Sequence, residues 1–182
     1  MNINYLIVPG LDNSDDRHWQ SRWEKTLDGA VRVNQRDWQT PDLPVWSAAI
    51  EAVLRRAARP PMIIAHSFGC LAAVHAAARY PASVAGLFLA APADPDRVGN
   101  SQALPYNDLP MPSLLIASTN DPWLSSISAR SLANQWGSVF VNAGRVGHLN
   151  PASGYGPWPE GWARLHQLIH TLDLTSRASN IA

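Results

Sequence analysis

The stretch IIAHSFGC, residues 63–70, decides the fold of this chain. Two isoleucines and an alanine lead through His66 into Ser67, and an alanine-rich segment with helical spacing follows. This order predicts a buried strand, a tight turn and a helix, with Ser67 on the turn. Small residues two positions before and after the serine, Ala65 and Gly69, relieve crowding at such a turn. The turn therefore projects the hydroxyl beyond the end of the sheet.

Similar apolar runs lie on both sides of this stretch. The six predicted strands span residues 5–8, 31–34, 62–65, 84–89, 114–117 and 139–142. They are short and mostly apolar without clean alternation, which is typical of strands buried on both faces. Helical spacing of apolar residues marks five further segments, at 18–27, 45–58, 68–79, 125–136 and 162–172. The link between the fourth and fifth strands, residues 90–112, has no helical pattern.

The alternation of strand and helix predicts an α/β fold, a three-layer α/β/α sandwich around a parallel six-stranded sheet. The sequence has no internal repeat, low-complexity segment or linker. We therefore predict a single domain over residues 1–172 and a frayed tail over residues 173–182. The reactive site of an open parallel sheet lies beyond the carboxyl ends of its strands. The residues that follow the strands are therefore the ones to inspect.

Composition excludes several classes of function. The chain is 46% hydrophobic and 15% charged, with a formal net charge of zero and no run of basic residues, which argues against a nucleic-acid partner. Its longest apolar runs are too short to span a bilayer, so no membrane partner is expected. The first residues, MNINYLIVPG, lack the positive region of a signal peptide. The single cysteine, Cys70, fits a reducing compartment, and we predict a cytoplasmic protein that acts on a small molecule.

Three residues with suitable chemistry follow strands in the order serine, acid, histidine. Ser67 follows the third strand, Asp121 lies in STNDPW after the fifth, and His148 lies in GRVGHLN after the sixth. A serine hydroxyl is a weak nucleophile that needs an adjacent base, and a neutral imidazole suits that task. A carboxylate on the other ring nitrogen holds the useful tautomer and stabilises the imidazolium. This set predicts a nucleophilic serine enzyme.

Simpler interpretations stand beside these. Serine caps helices well, so Ser67 could serve only as the N-cap of the helix that follows it. Asp94, after the fourth strand, is a rival to Asp121 as the acid. His166 and His170 have the spacing of a metal pair, but no third ligand is evident, and we predict neither a metal nor a cofactor.

Four further residues are candidates for the wall of a pocket. His66 is expected to support the site, and His18 either lines the cleft or caps the first helix. Trp123 and Trp158 flank the loops that carry the acid and the base, so both are candidate wall residues. Plain packing beneath the segment GYGPWPEG is the alternative for Trp158.

The motifs together resemble those of a known family. AHSFG is similar to the elbow signature G-x-S-x-G of the α/β-hydrolase fold, with alanine for the first glycine. Over residues 3–172 the chain resembles the small serine hydrolases related to retinoblastoma-binding protein 9 and bacterial YdeN. The motifs that carry this resemblance are VPG with HW shortly after, STNDPW and GHLN. The resemblance implies Ser67 as nucleophile, Asp121 as acid and His148 as base. It also implies the backbone amides of Leu11 and Phe68 as oxyanion donors.

The resemblance also implies the topology and the activity. We expect the strand order 2-1-3-4-5-6, without the antiparallel strand pair that begins many α/β hydrolases. The link 90–112 is too short for a large lid domain. The implied activity is hydrolysis of a small ester, thioester or amide. The alternative is a protein-binding module on the same scaffold with weak or vestigial activity, since fold alone never proves activity. The sequence identifies neither a protein partner nor an oligomeric state.

Overall fold

The structure, a computed structural model, describes residues 4–179, and only the backbone of residues 173–179. The described residues form six strands, β1 (Tyr5–Val8), β2 (Ala30–Arg32), β3 (Met62–His66), β4 (Gly86–Ala90), β5 (Ser113–Ala117) and β6 (Val139–Asn142). They also form five α-helices, α1 (Trp19–Thr26), α2 (Leu43–Leu54), α3 (Phe68–Arg79), α4 (Ser126–Gln135) and α5 (Pro159–Ser179).

The sheet has the predicted topology. Every strand pairing among the described residues is parallel, and the order is β2-β1-β3-β4-β5-β6. The three central strands β3, β4 and β5 are buried along their whole length, which explains their continuous apolar sequences. The predicted three-layer fold of a minimal α/β hydrolase is confirmed.

Alternating residues of the strands lie on opposite faces of the sheet and belong to two separate hydrophobic cores. Ile63 and Ala65 of β3 pack with residues of α2, α3 and α4, whereas Ile64 packs on the other face with residues of α1 and α5. The first core is mostly aliphatic and alanine-rich. The second is rich in aromatic rings, including Trp19 and Phe88. Helices thus cover both faces of the sheet, so a functional site has to lie at the ends of the strands.

The last helix differs most from the sequence prediction. It begins at Pro159, where the fixed φ of proline suits a first helical position, instead of at residue 162. It continues to Ser179, so residues 173–179 of the predicted frayed tail are helical, because neither glycine nor proline interrupts them. Residues 180–182 of that tail lie outside the described residues.

The link after β4 contains one short 3-10 helix, Ser101–Ala103, over residues 91–112. The predicted absence of a multi-helix lid in this link is therefore confirmed. Within residues 4–179, no helix is both long and apolar enough to cross a membrane.

Candidate active site

Ser67 occupies a strained turn between β3 and α3. Its φ and ψ are 54° and −127°, a region that residues with a side chain rarely adopt and that costs free energy. Gly69 is needed beside it, because a Cβ atom there would lie 2.3 Å from the carbonyl oxygen of Pro9. Ser67 holds the N-cap position, yet its hydroxyl caps no amide in the part of the chain that the structure describes. The simple capping interpretation of Ser67 is therefore wrong.

The Ser67 hydroxyl bonds to a histidine instead. It lies 2.9 Å from His148 Nε2, and His148 Nδ1 lies 2.9 and 3.0 Å from the two carboxylate oxygens of Asp121. Because a carboxylate accepts, Nδ1 carries the proton and Nε2 accepts from the serine hydroxyl. The side chains of His148 and Asp121 are 8% and 2% exposed, so water competes little for these bonds. The structure thus brings the three predicted residues together in one hydrogen-bonded line.

Asp94, the rival acid, serves a different role. Its carboxylate accepts from the backbone N–H of Asp96 and lies 3.6 Å from the guanidinium of Arg97. His148 Nδ1 is bonded to Asp121, so Asp121 and not Asp94 is the carboxylate that contacts this histidine.

The loop after β5 is tied to the loop after β6 by two polar side chains. The Ser118 hydroxyl accepts from the backbone N–H of Val146 at 3.2 Å, and its one proton faces two acceptors, the Asn120 side-chain oxygen at 2.8 Å and the carbonyl oxygen of Gly144 at 3.1 Å. The Asn120 side-chain oxygen accepts from the backbone N–H of Gly147 at 2.8 Å. These bonds fix the acid-bearing loop relative to the base-bearing loop.

Three more side chains hold the backbone of His148. Its N–H donates to the Ser153 hydroxyl at 3.0 Å, and that hydroxyl donates to the side-chain oxygen of Asn150 at 2.9 Å. Its carbonyl oxygen accepts from His66 Nε2 at 2.8 Å, which is the supporting role expected of His66. The roles of Ser118, Asn120, Asn150 and Ser153 were missed from sequence, although three of these residues lie in the motifs STNDPW and GHLN.

The two residues that the family resemblance implies as oxyanion donors, Leu11 and Phe68, both lie close to the serine. Phe68 is the first residue of α3, where an amide has no partner within the helix. The chain after β1 passes directly against the serine, since a Cβ atom on Gly10 would lie 2.6 Å from the Ser67 Cβ. Leu11 follows Gly10 and lines the cavity above the serine.

A cavity of about 590 Å³ opens over the serine. His18, His66 and Trp123 line it as predicted, and Trp123 is 56% exposed with its ring centroid 6.2 Å from that of His148. The loop after β4 also lines it, through residues 93, 94, 97 and 98, which the sequence analysis did not expect.

Trp158 does not line this cavity among the residues that the structure describes around it. It is buried in the aromatic core, stacked on Trp23 at 5.7 Å and edge-on to Trp19 at 5.1 Å. Its position just before α5 places it on the sheet face beneath the site. The prediction of a wall residue is wrong for Trp158, and the packing alternative is correct.

Three histidine rings form a row at the floor of the site. The ring centroids of His18 and His66 are 4.9 Å apart, and those of His66 and His148 are 4.8 Å apart. Burial lowers the pKa of His18 to about 4, and burial also holds the pKa of His66 well below its ordinary value. Both rings are therefore neutral at pH 7. Across the described residues, no cluster of three or more histidine, cysteine or acidic side chains is placed to hold a metal ion.

A known protein family matches most of the chain. Residues 5–167 match the serine hydrolase family, which is nearly the whole chain, so the chain belongs to that family and is a hydrolase. No protein of curated function is significantly similar to it in sequence.

Solved structures are similar to this protein over nearly the whole chain, and three of them define the comparison. A protein described as a YdeN-like hydrolase from Pectobacterium atrosepticum is 39% identical, with a TM-score of 0.89 over 94% of this chain and 92% of that one. The ydeN gene product of B. subtilis is 20% identical, with a TM-score of 0.74 over 93% of this chain and 100% of that one. A thermophilic esterase from Thermogutta terrifontis is 15% identical, with a TM-score of 0.66 over 94% and 91%, and shares the fold.

Proposed function

We propose that this chain hydrolyses a small ester, or a related thioester or amide, through an acyl-enzyme on Ser67. The observation that carries the proposal is the hydrogen-bonded line from Ser67 through His148 to Asp121. In the first step His148 Nε2 takes the hydroxyl proton as Ser67 Oγ attacks the scissile carbonyl carbon. The C–O, C–S or C–N bond to the leaving group then breaks, and His148 returns the proton to it.

Water completes the reaction in the second step. His148 removes a proton from water, which attacks the acyl carbon and releases the acid and free Ser67. The proposed donors to the oxyanion are the amides of Leu11 and Phe68. Their position beside the serine supports this role, and each such donor is worth roughly 3 kcal/mol in other serine enzymes. Asp121 keeps His148 in the required tautomer and stabilises its charged form.

The open cavity supports a small substrate. Loops after five strands wall it, and the short link after β4 supplies no cover of several helices. The exposed ring of Trp123 offers apolar surface at the mouth for a short or medium acyl group, or for one aromatic group. A cytoplasmic location and the relation to retinoblastoma-binding protein 9 stay predictions.

Labelling with a fluorophosphonate probe tests the proposal. The probe is expected to label the wild type at Ser67, and Ser67→Ala is expected to abolish labelling with an unchanged circular dichroism spectrum. Ser101→Ala, on the 3-10 helix of the link, is the matched control and should label fully. Labelling that survives Ser67→Ala would refute the nucleophile. A folded wild type that never labels and hydrolyses no ester in a broad panel would favour the protein-binding alternative.

A further inference from the structure

His18 holds a buried nitrogen without a partner at the floor of the proposed site. Of the buried side-chain nitrogen and oxygen atoms that the structure describes, only His18 Nε2 has no hydrogen-bond partner. The residue itself is 4% exposed, and it lines the cavity over Ser67. A buried polar group left unpaired costs free energy, so such an atom calls for an explanation.

The hydrogen bond made by His18 Nδ1 determines whether Nε2 is a hydrogen-bond donor or an acceptor. His18 Nδ1 accepts from the backbone N–H of Gln20 at 3.1 Å and thereby caps α1. A backbone N–H is always a donor, so Nδ1 carries no proton. The ring is neutral at pH 7, because burial lowers its pKa to about 4. Its single proton is therefore on Nε2, which is a hydrogen-bond donor.

Residues 4–179 surround this donor without supplying an acceptor. The neighbouring rings are Trp19 at 5.3 Å and His66 at 4.9 Å between centroids, and the Nε2 of His66 is committed to a carbonyl oxygen. The Asp15 carboxylate bonds to the backbone N–H of His18 and to Arg17, not to the ring. Because the ring lines the cavity, the acceptor comes either from a bound ligand or from a water that a ligand displaces.

We propose that the substrate carries a hydrogen-bond acceptor, in addition to the scissile carbonyl, that accepts from His18 Nε2. The inference rests on the proposed function and narrows its substrate class to esters with an ether or carbonyl oxygen on the acyl or the alcohol part. His18 is then a specificity-determining residue. A substrate without that oxygen leaves the donor unpaired, and polar sites of this kind discriminate strongly against analogues that lack the partner atom.

Two variants separate the two roles of the ring. His18→Asn places an amide oxygen near the position of Nδ1, so it keeps the cap and removes the donor. His18→Gln places an amide nitrogen near the position of Nε2, so it keeps the donor and removes the cap. The capping role predicts that the melting temperature falls in His18→Gln and not in His18→Asn. The substrate-binding role predicts the opposite order for discrimination between substrates.

The test compares kcat/KM within two isosteric pairs of esters. The acyl pair is p-nitrophenyl methoxyacetate and p-nitrophenyl butyrate, and the alcohol pair is 2-methoxyethyl butyrate and n-butyl butyrate. The ratio of the oxygen-bearing ester to its all-carbon partner is measured for each enzyme. Comparing this ratio between variants cancels the intrinsic reactivity of the esters.

We expect the ratio for one pair to fall about tenfold in His18→Asn and to stay near the wild-type value in His18→Gln. The pair that responds identifies whether the acyl or the alcohol part bears the acceptor. Unchanged ratios for both pairs in His18→Asn would overturn the proposal, as would an equal fall in both variants. Wild-type labelling and butyrate hydrolysis show in the same experiment that the proposed function holds, so the two failures are distinguishable.

Discussion

The loops at the carboxyl edge of the sheet fall into two groups. In one group polar side chains form hydrogen bonds between loops, and in the other a buried hydrogen-bond donor has no protein partner. The loops after β5 and β6 are bonded to each other through the side chains of Ser118 and Asn120, and Ser153 holds the backbone of the base. The loop after β1 presses Gly10 against the serine and leaves the Nε2 of His18 without a protein partner.

The difference separates orientation from recognition. An acid and a base that must keep one geometry through the reaction gain from several bonds that fix their backbones. A group that recognises a ligand must instead have a hydrogen-bond donor that no protein atom occupies. Leaving this donor unpaired in the free protein costs free energy. The bonded pair of loops is thus suited to hold the proposed acid and base, and the unpaired donor of the β1 loop is suited to contact with substrate. Four predictions test this division.

The largest effect is expected from Asp121→Asn. An amide opposite His148 Nδ1 favours the wrong tautomer, and the same change of the triad acid in a serine protease costs about 10⁴ in kcat. We expect a loss of similar size here, measured as kcat for p-nitrophenyl butyrate, with the melting temperature used to confirm folding.

Asp94→Asn is the matched control for that change. Asp94 also lines the cavity, but it bonds to Asp96 and Arg97 and not to the base. Its kcat should stay within a few-fold of the wild type. If Asp94→Asn proved to be the crippling change, the acid would belong to the loop after β4 and the bonded pair of loops would not carry the chemistry.

The hydrogen-bonded line of Ser67, His148 and Asp121 was predictable from sequence, whereas the side chains that hold it in place were not. Ser67, Asp121 and His148 each follow a strand, and parallel strands bring their carboxyl ends to one edge, so the sequence predicts that they share this edge and the family resemblance implies that they meet. Ser118 and Asn120 act through bonds between two irregular loops, whose conformations follow no periodic pattern. Trp158 was misjudged because its nearness in sequence to the base says nothing about which sheet face its ring takes.

The next effect concerns stability at low pH. The pKa of His18 falls from its ordinary value of 6.5 to about 4 on folding, because the ring is buried. Between these values the unfolded chain binds more protons than the folded one, so the free energy of unfolding decreases as the pH falls through this window. We expect His18 to contribute a loss of about 3 kcal/mol, and His66, whose pKa is lowered in the same direction, to add to it.

Urea unfolding at pH values from 7 to 4 measures this loss, and His18→Asn gives the control. The variant lacks a titrating group at this position, so its stability should fall less steeply between pH 6.5 and 4 than that of the wild type. If the free energy of unfolding fell equally steeply with pH in both proteins, His18 would not be buried as a neutral ring. Its Nε2 would then not be the unpaired donor that distinguishes the β1 loop.

A smaller effect is expected from loosening the bonded pair of loops. Asn120→Ala removes the acceptor of the Gly147 N–H and of the Ser118 hydroxyl. Each lost bond is worth about 1 kcal/mol, so we expect kcat to fall about tenfold, with KM little changed because Asn120 does not line the cavity among the residues described around it.

Asn107→Ala is the control for Asn120→Ala, since the Asn107 side chain donates to the backbone oxygen of Asp108 at an exposed position. It should behave as the wild type in steady-state kinetics. An Asn120→Ala enzyme with unchanged kcat would show that the two loops hold their geometry without this link.

The smallest effect concerns the exposed wall of the cleft. Trp123→Ala removes apolar surface at the mouth, where contact with one acyl chain is worth about 0.7 kcal/mol, so KM for p-nitrophenyl octanoate should rise about threefold and KM for the acetate should not change. Ile127→Ala is the control, because Ile127 is 82% exposed on α4 and does not line the cavity among the residues described there.

Esters from two to sixteen carbons, measured below and above their solubility limits, extend the test. An open cleft predicts simple saturation with an optimum at short or medium chains, whereas a lidded enzyme must open first and gains activity sharply at an interface. An optimum at the longest chains with such a jump would contradict the open cleft, and an equal rise in KM for acetate and octanoate would place Trp123 against the leaving group instead.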